Sequence, residues 1–133
     1  QSVPICLQTP DGYRIGAYRL RILPNKTCEL YDIHRELIHV FENKLSAVLY
    51  TIYTIKKSYK MADEIMLWDQ EINKNYADVQ SLRRGLLKAR KQKEYDLVDI
   101  RNARLELAES RLSYARDKIS NLHNHAKYMK VWG

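Results

Sequence analysis

The last proline of this chain is Pro24, and from Asn25 to Trp132 the only glycine is Gly85. Proline inside a helix costs about 3 kcal/mol and glycine about 1 kcal/mol, whereas loop-rich domains use both freely at their turns. A long stretch that avoids both is expected to be helical and to fold back once. The predicted class is mainly α: a long antiparallel helical hairpin of the coiled-coil or helical-barrel type, with a small N-terminal β element. We expect a short β-hairpin or extended segment over 1–28, then the helical hairpin over 29–133 with its turn near 85–96.

At 133 residues the chain is one domain at most. Two helices side by side bury a seam and not a deep core, so a catalytic pocket is not expected. The net charge of +7 is concentrated in Arg83, Arg84, Lys88, Arg90, Lys91 and Lys93. Such a charge suits nucleic acid or an anionic membrane surface, but interleaved Asp and Glu elsewhere leave no extended basic face. Nucleic acid is therefore not the expected partner, and the cluster reads as a solvated turn or a docking patch for another protein.

Cys6 and Cys28 are the only cysteines. They are a candidate disulfide, which would contribute about 3 kcal/mol through the unfolded state and point to an oxidising compartment. Two free buried thiols are the alternative. No apolar run approaches the roughly 18 residues of a transmembrane helix, and the Gln1 start fits a chain whose signal peptide has been removed.

Along the chain, Val3 to Ile22 reads as extended, with a turn at Thr9-Pro10-Asp11-Gly12. Tyr13 to Ile22 reads as one strand, with Gly16, Tyr18, Leu20 and Ile22 on one face and Arg19 and Arg21 on the other. A first helix is expected to start near Glu29 to Asp32, its acidic first turn favoured by the helix dipole. Its seam would be Leu45, Val48, Ile52, Ile55, Tyr59 and Ala62, continued by Ile65, Ile72, Tyr76 and Val79. Run to Gln92 it would be about 95 Å long, with Gly85 ending or kinking it. The second helix carries the cleaner heptad: Leu105, Ala108, Leu112, Ala115, Ile119, Leu122, Ala126 and Met129. Leu97, Ile100, Leu107 and Tyr114 form another stripe to one side, so this helix could touch neighbours on two flanks.

Few residues invite chemistry. His34 to His39 superficially suggests a zinc-protease motif, but that motif needs histidines four apart on one helical face, and these are five apart. His123 and His125, two apart on a helix, point to different faces. There is no nucleophile–base spacing, glycine-rich phosphate loop or CxxC pair. Neither enzyme activity, metal nor cofactor is expected.

The run Leu97-Val98-Asp99-Ile100-Arg101-Asn102-Ala103, followed by Leu105, Leu107, Ala108, Leu112, Tyr114, Ala115 and finally Gly133, resembles the last long repeat of the TolC-type outer-membrane efflux proteins. The resemblance covers about residues 30–133. It implies a helical hairpin descending to a periplasmic tip, with Asp99 and Asn102 near the mouth of a trimeric tunnel and the 83–93 cluster where an adaptor docks. A carboxylate ring in a narrow wet mouth attracts cations. The family's second acid is Asn102 here, the glycine usual before the motif is replaced near Lys93, and one repeat is present instead of two. Functionally we expect a non-enzymatic envelope transport or secretion component. It would be exported to the periplasm or outer membrane, and would assemble with itself and with envelope or adaptor proteins. The alternative is an exported coiled-coil interaction module, such as a pilus-tip or adaptor-like bundle, without a channel.

Overall fold

A computed structural model describes residues 6–128. Expectations placed on Val3, Met129 and Gly133 fall outside the described residues. The chain is mainly helical, with three helices following a small N-terminal antiparallel sheet.

The sheet is a simple meander, β1 (Cys6–Thr9), β2 (Gly12–Ile15), β3 (Tyr18–Ile22), β4 (Cys28–Tyr31) and β5 (Leu37–Phe41), each strand paired with the next. Its turns are built locally. The Thr9 hydroxyl donates to the Asp11 carboxylate at 3.0 Å, Gly16 takes φ +57° in the two-residue loop before β3, and Asn25 accepts from the Thr27 amide at 3.1 Å. Between β4 and β5, Asp32 accepts from the amides of His34 (2.8 Å) and Glu36 (3.0 Å). Such short side-chain-to-backbone bonds are why Asp and Asn initiate turns.

Two sequence expectations are corrected here. Tyr13 to Ile22 is not one strand, because Gly16 and Ala17 reverse the chain within it. Residues 29–41, assigned to the start of the first helix, belong to two strands, so the β element is larger than residues 1–28. The physical reason is the burial pattern: Cys28 and Leu30 are buried while Glu29 and Tyr31 are only partly so, the period of two that a half-covered strand requires. Ile15, Leu20, Cys28, Leu30 and Phe41 are fully buried on the covered face.

Helix α1 (Lys44–Ile55) provides that cover. Asn43 caps it, accepting the Ser46 amide at 2.9 Å, and Thr51 returns its buried hydroxyl to the Ala47 carbonyl at 2.7 Å. The long first helix foreseen from the sequence is thus two helices. After Ile55 the chain turns and restarts as α2 (Tyr59–Lys91), then turns again into α3 (Tyr95–Tyr128). At 33 residues, α2 is about 50 Å long. It passes through Gly85 unbroken, and the Arg101 guanidinium donates to the Gly85 carbonyl.

Both helix ends are closed by the same device, and neither uses glycine. Lys57 (φ +62°) bonds back to Thr54 while Ser58 bonds to Tyr53. Lys93 (φ +55°) bonds back to Arg90 while Glu94 bonds to Ala89. This paired pattern is the Schellman closure, in which the left-handed residue is normally glycine. An L side chain there costs about 1–2 kcal/mol, part of which is offset by the entropy a lysine does not have to lose relative to glycine. Lys93→Gly and Lys57→Gly are each expected to stabilise the fold by about 0.5–1 kcal/mol, measured as a rise in urea midpoint at constant m.

Helices α2 and α3 pack against each other along their length. Gly85 meets Arg101, Arg83 meets Glu109 and Tyr76 meets Arg116, so numbers fall on one helix as they rise on the other. The α3 seam consists of Ala108, Leu112, Ala115, Ile119 and Ala126, all buried, with Leu105 and Leu122 partly covered. Opposite stand Ala62, Ile65, Ile72, Val79, Leu86 and Ala89. The stripe drawn for the first helix needs correction at three places: Leu45, at the start of α1, is exposed, and on α2 Tyr59 and Tyr76 are exposed, with Asn75 buried instead of Tyr76. The break at Lys57 resets the helical phase, so a stripe extrapolated across it drifts off the seam.

Candidate functional site

The most tightly organised polar group joins the sheet to the helices. Asp69 sits in the α2 seam with no solvent exposure. One carboxylate oxygen accepts the Glu42 backbone amide at 3.0 Å, and the other lies 2.8 Å from His39 Nε2 on β5 and 3.3 Å from Asn73 Nδ2. Phe41 stands edge-on to the His39 ring, centroids 4.7 Å apart. Glu42 continues the joint outward to Arg116 of α3 at 3.2 Å. β5, the residue after it and α2 therefore converge on one carboxylate, which is closed off from solvent and needs every one of these donors. Among the described residues no hydroxyl or thiol bonds to His39, so the pair has the geometry of a clamp and not of an activated nucleophile.

The uncovered face of the sheet carries Arg14 directly opposite Arg19, with Tyr31 beyond it and Arg21 one pair away. With Arg35 they border an open groove of about 870 Å³. Its charge is largely answered within the fold: Arg19 pairs with Asp11 at 2.9 Å and Arg21 with Glu29 at 3.6 Å. The Thr9 hydroxyl first, and the Arg19 charge after it, hold the Asp11 carboxyl below its ordinary range.

On α3 the seam is not the whole apolar surface. Ile100, Leu107 and Tyr114, seven residues apart, are 51%, 53% and 56% exposed. They belong to the side stripe expected from the sequence, whose first member, Leu97, is half-buried; among the described residues the stripe is covered only in part, at Tyr114. Near its C-terminal end Tyr114 meets Trp68 of α2 edge-on at 5.7 Å and carries Lys118 over its ring at 5.1 Å.

The other sequence candidates fall as follows. The chain turns at Gln92 to Glu94, so Asp99 and Asn102 lie within the first turns of α3 and not in the turn itself, Asp99 exposed and Asn102 partly buried. Arg83, Arg84, Lys88, Arg90, Lys91 and Lys93 are all exposed near this end. Arg83 is paired with Glu109 at 3.2 Å, and Lys88, Arg90 and Lys91 sit in the last turn of α2, where cations complement the dipole. The candidate disulfide is corrected: both cysteines are free. Cys6 is on β1 and Cys28 on β4, three strands away in the sheet. That is about 14 Å at the usual strand spacing, beyond the roughly 7 Å a disulfide can span. Burial, and then the Glu29 charge, push the Cys28 thiol up to about 11. His34 is in the β4–β5 turn and His39 on a strand, not on a shared helix.

Sequence reasoning missed the Asp69 joint. Its one available signal was an acid at a seam position between Ile65 and Ile72. Asn73 lies only four residues on, but the two partners that make the joint, His39 and Glu42, are 30 and 27 residues distant and leave no local spacing to read. Among the described residues no group of three or more His, Cys, Asp or Glu could hold a metal, and no helix is long and apolar enough to cross a membrane. No protein-family model, curated protein or solved structure matches the chain.

Proposed function

We propose that this protein acts without catalysis, as an interaction module whose working part is a long helical hairpin of the coiled-coil type. The sheet and α1 form its base, and Asp69 fixes the hairpin to that base. The observation that carries this reading is the second apolar stripe, Ile100, Leu107 and Tyr114, exposed on the flank of α3. A surface helix normally covers its apolar residues against its own core, and a contiguous exposed row marks a contact surface.

The TolC-type channel component remains a narrower version of the same idea and is less favoured. A membrane β-strand needs about 9–11 residues, whereas β1 to β5 have four or five each. The covered face of the sheet is occupied by α1. The module without a channel asks nothing of the strands beyond holding the base together.

Leu107→Glu tests the reading. The native chain is expected to sediment or scatter light as an assembly, and the variant to fall to the monomer mass while its helical circular dichroism is unchanged. A native chain that stays monomeric at the highest attainable concentration, with or without detergent, would remove the proposal.

A further inference from the structure

Resting on the reading of α3 as a contact helix, we infer that its outer stripe packs against the same stripe of a second copy of this chain, with the two helices parallel. The charges bordering the stripe decide the direction. Turned 100° per residue, Arg104, Arg111 and Lys118 follow one edge of Ile100, Leu107 and Tyr114, and Asp99, Glu106 and Asp117 follow the other. None of these six has an ion-pair partner among the described residues, whereas Glu109 and Arg116, on the flank that meets α2, are both paired within the chain. The basic edge lies between the stripe and the seam and the acidic edge on the side away from α2, and apart from the Lys118 contact with the Tyr114 ring both are left to a neighbour.

Two identical stripes can meet in two ways. In an antiparallel pair each edge faces its own copy, which sets arginine against arginine and carboxylate against carboxylate. In a parallel pair each basic edge faces the partner's acidic edge, as across a parallel coiled coil. Like charges facing each other suppress a pairing and opposite charges fix its register. Ala103 and Ser110, between the three large residues, are small and exposed, so the helices can approach closely enough for Ile100, Leu107 and Tyr114 to meet their own copies. Parallel packing puts both sheets at one end of the assembly and both Gln92 turns at the other. The same edges serve a two-fold pair or a larger ring.

Cysteine cross-linking in the full chain tests the direction. On a Cys6→Ser background, with Cys28 left buried, Ile100→Cys and Leu107→Cys are each expected to form a disulfide dimer with themselves under mild oxidation. Dimer obtained instead from Leu107→Cys and from a mixture of Ile100→Cys with Tyr114→Cys, and not from Ile100→Cys alone, would mean antiparallel helices. That result overturns this inference and leaves self-assembly standing. A chain that is monomeric by sedimentation and gives no cross-link overturns both. Charge exchange reads the same question without cysteines. Arg104→Glu with Arg111→Glu should weaken assembly about tenfold or more, and adding Asp99→Lys and Glu106→Lys to the same chain should restore it. An arginine double variant that assembles as well as the native chain refutes the parallel arrangement.

Discussion

Asp69→Ala is expected to destabilise the protein by about 3–5 kcal/mol, because removing one member of a buried charged network leaves the others desolvated and unpaired. The Glu42 amide and His39 Nε2 both lose their acceptor, and the void lies where α2 meets β5. Asp69→Asn separates the contributions. Its carbonyl oxygen can still accept from the Glu42 amide, but its NH2 then faces His39 Nε2, which must change tautomer to accept it, so a loss of about 1–3 kcal/mol is expected. Urea unfolding at constant m checks both. An alanine variant within about 1 kcal/mol of the native chain would mean that water reaches the carboxylate and that the joint is dispensable.

Gly12→Ala is expected to be nearly as costly, about 3 kcal/mol, through overpacking and backbone strain. A methyl group at this position would come within 2.1 Å of the Leu20 carbonyl oxygen and 3.2 Å of the Arg21 Cα. Both are backbone atoms of the paired strand, so no side-chain rotation relieves the clash and β2 must separate from β3. The effect should show as a lowered unfolding midpoint with early loss of amide protection in β2 and β3, while α3 remains protected. An alanine variant as stable as the native chain would show that the two strands can part without cost.

How much of this was legible in the sequence follows from how locally each feature is encoded. The α3 seam could be read because Leu105 to Leu122 repeats without interruption and nothing outside the helix is needed to see it. The reversal near Lys93 was bracketed by charge and by the distant Gly85, although the residue that makes the turn is a lysine in a conformation normally left to glycine. The same disguise at Lys57 concealed the break between α1 and α2 and carried the expected stripe onto Tyr59 and Tyr76. Strands β4 and β5 were hidden for another reason. Four or five residues, with an acid and an aromatic in β4 and an apolar run in β5, fit a helix start as well as a strand, and only the pairing of β4 with β3 and of β5 with β4 decides between them. The disulfide expectation failed because sequence separation says nothing about strand order. The Asp69 joint was beyond reach because its partners come from β5 and the segment after it.

One consequence of that joint concerns mechanics. Beyond Asp69 the rod continues to Gln92 for about 35 Å, while its polar attachment to the base rests on Asp69 and on the Glu42–Arg116 pair beside it. A sideways push at the far end therefore acts as on a crowbar whose pivot lies at this joint. The apolar packing of α1 on both long helices shares that load, and the polar part of it falls on how firmly three hydrogen-bond donors grip two oxygens.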